Sequence, residues 1–388
     1  MSSPDGAPEA QPSLFFVVTE DWYFWSHRLD LARAAQAAGY AVTLATRFTA
    51  HRARIEAAGI RCLPLPIARG LSAPWRDVLV MLRLALRWRR TPPTVVHAVA
   101  LKPILLCALG AYVASGTAFC LAATGLGHLF TAHKLPIRAV RLVVSKILAC
   151  LVRLPHSVLI VQNRDDLATL VASGVDVRNR GLLIRGSGVD LTRFQPTPLP
   201  TGAVPLVLMP ARVLIDKGVR EFAAAAAWLR AAGTACRCVL VGGLDPGNPS
   251  ALSRTAIESL CAETSLEWWD HHEDMPQAYA AATLVCLPSY REGLPKALLE
   301  AAGCGRPLVA TDVPGCREIC LEGITGALVP AGDGAALGAR IAAMLADRAG
   351  LEKMAAAARN LVAAEFSVGA INEQTLAAYA RLRGLKMP

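Results

Sequence analysis

Acidic residues are scarce in the first half of this 388-residue chain. Residues 1–200 hold 11 Asp and Glu against 23 Lys and Arg, and the remainder holds 19 against 17. The formal charge of +10 is therefore an N-terminal property, and it points to an anionic surface or substrate. No nucleic-acid motif accompanies it, so a membrane surface or a phosphorylated lipid fits better than nucleic acid. The 11 cysteines show no pair spacing that suggests a metal, which leaves free thiols in a reducing compartment. The polar first 13 residues lack the basic-then-apolar order of an export signal and read as a disordered tail. There are no internal repeats. No G-x-G-x-x-G follows the first apolar run, which argues against an NAD-binding half. Pro103–Gly127 carries no charge over 25 positions, but Gly110, Ser115 and Gly116 break it into a helix and a strand, so it is not read as a membrane span.

What is present is alternation of strand and helix signals over a length that suits two domains. Leu14–Thr19, Tyr40–Thr46, Val95–His97, Thr117–Ala122 and Ser157–Gln162 read as buried parallel strands, with helices Arg28–Gly39 and Pro103–Ala114 between them and Asn163–Gly174 after the last. Glu20–His27 reads as a loop of unusual aromatic content. Its Trp22, Tyr23, Phe24 and Trp25 either cap the core or form a platform for a sugar ring or lipid. His27 and Arg28, opening the next helix, are candidates for an acceptor phosphate. Pro74–Pro92 and Leu135–Leu154 are amphipathic. Arg83, Arg87, Arg89 and Arg90 mark the first, edged by Trp75 and Trp88; Arg138, Arg141, Lys146 and Arg153 mark the second. Arginine and tryptophan beside a Leu-rich face suit a helix lying on anionic lipid.

The densest chemistry lies in Pro288–Glu318. A short strand, Thr283–Ser289, runs into the loop Arg291–Pro295. The helix Lys296–Gly303 and the strand Arg306–Thr311 follow. Pro295 is placed at the first helical position, where no donor is lost. Glu292 thus sits on a loop at a strand's carboxyl end, where open α/β sheets bind ligands. Glu300 sits about one and a half turns into the helix. Backbone N–H groups around Leu294–Ala297 form an anion site at the helix N-terminus. Carboxylates for sugar hydroxyls and a ribose diol, flanking a phosphate site, describe a nucleotide sugar.

Glu292 and Glu300, with seven residues between them in REGLPKALLEA…CGRPLVATDVPGCRE, resemble the E-x7-E signature of retaining glycosyltransferases of the family 4, group 1 type. The resemblance runs through nearly the whole chain after residue 13. It implies an α/β chain of the GT-B fold, with two Rossmann-like domains whose parallel sheets face an interdomain cleft. Residues 14–194 are then the acceptor-binding domain and 204–366 the nucleotide-sugar-binding domain, with a terminal helix in 367–388 packing back on the first. ARVLIDKGV resembles the diphosphate-binding stretch, so Arg212 and Lys217 would clamp the donor. Gly293, Leu294, Pro295 and Lys296 would surround its phosphates, Glu292 its sugar and Glu300 its ribose. Trp269, Asp270 or His271 would meet the nucleobase. The doublet His271–His272 is not read as a metal site, because the resemblance implies no metal and no cofactor.

In LAATGLGHLFT the loop facing the donor sugar has Thr124 before Gly125, where the family often carries a histidine. His128 lies three residues beyond Gly125, and His97 is a further candidate partner. RGSGVDLTRFQP, beginning at Arg185, resembles the interdomain segment. His27, Arg28, Thr124, His128 and Arg185 are the candidate acceptor-side residues. The motifs TEDWYFWSHR, HAVALKP and ATGLGHLFT resemble transferases of capsule, O-antigen and N-glycan assembly. These imply transfer of a sugar, N-acetylhexosamine in the first instance, from a UDP-linked donor to a polyprenyl-diphosphate-linked saccharide. The place implied is the cytoplasmic, inner face of the cell membrane, with peripheral or monotopic contact. The alternatives are a UDP-sugar epimerase of the same fold and a non-catalytic glycolipid-binding partner.

Overall fold

Strands form where apolar runs of four to eight residues can be covered on both faces, as parallel sheets require. The computed structural model describes residues 11–67, 74–131, 135–202 and 204–384. The expected N-terminal tail thus lies almost wholly outside the described residues. Seven strands, β1 (Ser13–Glu20), β2 (Ala41–Arg47), β3 (Arg61–Pro64), β4 (Val95–Val99), β5 (Ala118–Ala123), β6 (Ser157–Val161) and β7 (Gly181–Leu183), form a parallel sheet in the order β3-β2-β1-β4-β5-β6-β7. Leu14 pairs with Val42 on one side and Val95 on the other, so the order reverses at β1 and β4. A second parallel sheet, ordered β10-β9-β8-β11-β12-β13, contains β8 (Leu206–Pro210), β9 (Arg237–Val241), β10 (Leu266–Trp269), β11 (Leu284–Leu287), β12 (Leu308–Thr311) and β13 (Gly326–Val329). Its order reverses between β8 and β11. Such reversal points open a crevice beyond the strands' carboxyl ends.

The sheets belong to two compact units. Residues up to Ile184 form the first with the chain from Asn372 onward, and Arg185–Ile371 form the second. The segment after Ile184 was expected to stay with the first domain to residue 194. It packs instead on the second unit: Val189 bridges Ser367, Phe194 meets Tyr279 edge-on, and buried Arg306 donates to the carbonyls of Thr197 and Pro198. The terminal helix Val368–Gly384 carries Tyr379 into the first unit, where its hydroxyl bonds His97 Nδ1.

One element differs from the reading of the sequence. Asp21–His27 is a helix rather than a loop. The Asp21 carboxylate, fully buried, accepts from the backbone N–H groups of Thr49, Ala50 and His51 and from the Thr49 hydroxyl. Burial alone would raise its pKa, but these hydrogen bonds pull it down to about 2. Trp269, a candidate for the nucleobase, ends the edge strand β10.

Candidate active site

The second unit's crevice is built by two loops that lean on each other. After β8 the chain makes one tight turn, Ile215–Lys217, and passes through Gly218 in the left-handed region (φ 78°). A Cβ there would lie 2.1 Å from the Pro288 carbonyl oxygen, so only glycine lets the turn approach the end of β11. Lys217 Nζ thereby reaches Glu292 Oε1 at 2.5 Å, and the Ser289 hydroxyl donates to the same oxygen at 2.7 Å. Both charged side chains are largely buried, at 22% and 10% exposure. An ammonium has three donors, so Lys217 keeps capacity for an anionic oxygen while it orients the carboxylate. Arg212, on the same loop, pairs with Asp245 Oδ2 at 2.5 Å and stays 41% exposed. Gly315 (φ 82°) closes the far side, where a Cβ would meet the Gly293 carbonyl at 2.4 Å.

Pro295 is the N-cap of the helix Lys296–Gly303, one position ahead of its expected place, and no side chain caps the helix. One turn in, Glu300 accepts from the Tyr279 hydroxyl at 3.1 Å and lies 3.6 Å from Lys296 Nζ. Burial raises the Glu300 pKa, and Lys296 and Tyr279 partly offset that. Burial likewise pushes the Tyr279 hydroxyl well up, keeping it a donor. Trp269 ends β10 partly buried, with the Arg237 guanidinium 6.0 Å from its ring centre. Asp270 is held by Arg254 at 2.9 Å. Among the described residues no cluster of three or more His, Cys, Asp or Glu is arranged to hold a metal ion.

The other sequence candidates divide. Thr124 and Gly125 follow directly after β5 in the first unit. His27 stacks flat on Tyr23, with ring centres 4.2 Å apart. Arg28 is buried, with its charge felt by His97 and Tyr379. His97 is buried too, held below its usual pKa by burial and by Arg28, and engaged by Tyr379; this is a structural histidine. The side chain of His128 lies outside the described residues. Arg185 belongs to the second unit, where it pairs with Glu365 and Glu318 and covers the Phe366 ring, which favours a structural over an acceptor role. Reading the sequence missed Ser289, Asp245 and Tyr279, each of which fixes a predicted residue. Only Ser289 is close in sequence to its partner; the other two lie 33 and 21 positions away.

Comparison with known proteins bears on both halves. Residues 204–347 match the model described as glycosyl transferases group 1, and residues 13–152 match glycosyl transferase 4-like. An N,N'-diacetylbacillosaminyl-diphospho-undecaprenol alpha-1,3-N-acetylgalactosaminyltransferase of Campylobacter jejuni is 28% identical over 235 residues, covering 58% of this chain and 60% of its own length. A putative colanic acid biosynthesis glycosyltransferase of Salmonella typhimurium is 34% identical over 197 residues, 48% of each chain. The chain thus spans about half the length of the curated relatives it matches. Among solved structures, an Anabaena protein in complex with UDP and glucose superposes with a TM-score of 0.75 at 17% identity, over 95% of this chain and 100% of its own. A glycosyltransferase from Rickettsia africae gives 0.78 at 16%, over 97% and 100%. The fold is GT-B, and the chain belongs to the group 1, family 4-like glycosyltransferases.

Proposed function

We propose that this protein is a retaining transferase moving a sugar, N-acetylhexosamine in the first instance, from a UDP-linked donor to a polyprenyl-diphosphate-linked saccharide. The observation that carries the reading is the Lys217–Glu292–Ser289 cluster at the second unit's strand ends, flanked by Arg212 and an uncapped helix N-terminus. Cleaving a nucleotide sugar releases a diphosphate. Two cations and a helix N-terminus stabilise the charge that develops on it. Glu292, an acceptor of hydrogen bonds, holds donor hydroxyls, and Glu300 takes the ribose diol. Retention follows a front-face course in which the departing diphosphate helps deprotonate the acceptor hydroxyl. The Campylobacter relative is named for an undecaprenol-linked acceptor, which supports that acceptor class here.

A lipid-linked acceptor calls for contact with a membrane surface, and the first unit carries a suitable face. Trp75, Val78, Leu79, Leu82 and Leu86 form an exposed stripe on the helix Pro74–Arg90, opposite its buried Val80, Leu84 and Trp88. Leu135, Leu142 and Val143 are exposed on the helix Leu135–Arg153. From Val78 to Arg164 the sequence has 11 Lys and Arg and no Asp or Glu. Apolar stripes within an acid-free basic region suit anionic lipid. Among the described residues no helix is long and apolar enough to cross a membrane. Peripheral contact at the inner face is the reading that the apolar stripes and the basic region support. Thermal shift against UDP-, GDP- and dTDP-sugars tests the donor, with stabilisation by a UDP-sugar expected. Liposome flotation tests the surface: binding to anionic vesicles should fall at high salt and in a Leu79→Asp, Leu82→Asp variant. Unchanged flotation of that variant would remove the helix from the account.

A further inference from the structure

At the amino ends of β9 and β10, the end of the second sheet away from the donor crevice, two thiols share one cavity. It has a volume of about 240 Å³ and is lined by Leu229, Arg230, Thr234, Cys236, Cys238 and Ser265. Cys236 stands one residue ahead of β9, and Cys238 is the second residue of that strand. Positions i and i+2 of an extended chain face the same side, so both sulfurs turn to the cavity. Arg237, between them, points the other way and pairs with Glu267. The Cys238 thiol donates a hydrogen bond to Cys236 Sγ. The two differ in access: Cys238 is 3% exposed, whereas Cys236 is partly open. Arg230 forms a wall of the cavity, donating to the Ser265 hydroxyl at 2.8 Å and the Glu263 carbonyl at 3.2 Å.

An accessible thiol that accepts a hydrogen bond from a buried one is set up for thiol–disulfide exchange. The bond stabilises a thiolate on Cys236 and lowers its pKa, while the same bond and burial push Cys238 up and keep its proton in place. Elsewhere burial dominates: it raises Cys62 and Cys304 to about 11 and Cys120 and Cys320 to about 12. Two residues of strand span about 6.6 Å, inside the Cα separation that a disulfide accepts. We propose that Cys236 and Cys238 are a reversible exchange site for a small-molecule disulfide, with Cys236 the attacking sulfur and Cys238 the resolving one. The Cys236 thiolate attacks one sulfur of the small disulfide, forming a mixed disulfide and releasing one thiolate. Cys238 then gives its proton to solvent and attacks Cys236 Sγ, and the second thiolate leaves. Two protein thiols are oxidised to one disulfide, and the small disulfide is reduced to two thiols. Arg230 presents a cation to the carboxylates of a peptide disulfide.

The probe is glutathione disulfide, added to the folded, reduced protein at increasing ratios to glutathione. Remaining thiols are blocked with N-ethylmaleimide, and the protein is cut with trypsin without reductant. Cleavage after Arg230, Arg237 and Arg254 leaves Ala231–Arg237 and Cys238–Arg254 with one cysteine each, so the two stay together only through the proposed bond. Mass spectrometry should find them linked in most of the protein at the oxidising end of the series, and dithiothreitol should separate them. In Cys238→Ala the resolving sulfur is gone, and Ala231–Arg237 should instead keep one glutathione. In Cys236→Ala the buried Cys238 should carry at least fivefold less glutathione than that. Folding of both variants is checked by circular dichroism; should Cys238→Ala fail to fold, the linkage in the wild-type protein decides. Peptides unlinked in most of the protein at every ratio would overturn the proposal. So would Cys238 modified in one variant as fully as Cys236 in the other. The readout is sulfur chemistry, so either result leaves the transferase reading untouched.

Discussion

Each unit presents a crevice at the carboxyl ends of parallel strands where the strand order reverses, yet the two are furnished differently. In the second unit the crevice gathers ion pairs: Lys217 with Glu292, Arg212 with Asp245, Lys296 with Glu300. In the first it holds one paired carboxylate among aromatic rings and threonines. A common architecture therefore supplies the location of a site but not its ligand. The charged crevice suits a leaving diphosphate, and the aromatic one suits a neutral ring. A similar contrast exists within the second sheet itself. Arg306, at the amino ends of β11 and β12, is fully buried and donates to the carbonyls of Ala282, Cys304, Thr197 and Pro198. Lys217 lies at the carboxyl ends. One cation holds backbone together, and the other, in the proposed reaction, meets the donor's diphosphate.

Substitutions can break these contrasts. Lys217→Ala should lower kcat by about 10²–10³-fold, the usual effect of removing one donor that stabilises developing charge. Its unfolding midpoint should fall by less than that of Arg306→Ala, as followed by circular dichroism, because Glu292 loses its countercharge but keeps the Ser289 hydroxyl. Arg306→Ala should do the reverse. It strands several buried carbonyls and should lower stability by about 3 kcal/mol or more in urea titration, while folded enzyme keeps its kcat. Equal loss of kcat in the two variants would erase the distinction between the two ends of the sheet.

Tyr379→Phe probes the first unit's attachment of the terminal helix. Leaving His97 Nδ1 without its partner in a buried site should cost about 1–3 kcal/mol, read from the same titration. The smallest effect expected is acid-dependent. The folded pKa of Asp21 lies near 2, below the unfolded value, so its stabilisation is complete above about pH 4 and is lost as pH falls toward 2. Asp21→Asn should flatten that part of the stability–pH curve; a curve identical to wild type would show that the loop Thr49–His51 does not depend on the charge.

How much of this was legible beforehand follows from what each feature depends on. Strands such as β1 and β8 are apolar runs whose burial on two faces is a local property of the chain. The E-x7-E spacing is local too, which is why Glu292 and Glu300 were found without the structure. The helix Asp21–His27 was hidden because its anchor lies 28 to 30 residues away, at Thr49, Ala50 and His51. Asp245 and Tyr279 escaped notice for the same reason. Their roles exist only once β9 and the helix Met275–Ala281 are folded beside the loop and helix they serve. Arg185, chosen because its segment resembles a family motif, reads differently once Glu318 and Glu365 are seen around it.

The most direct test of the central claim is consumption of donor by the purified protein. UDP-, GDP- and dTDP-sugars are each incubated with a polyprenyl-diphosphate-linked saccharide in detergent, and the lipid product is read by mass spectrometry. The account predicts that one UDP-N-acetylhexosamine is consumed and that the acceptor gains its mass. Release of a free hexosamine and UDP at the same rate without acceptor would contradict transfer. So would an acceptor left unchanged by every donor.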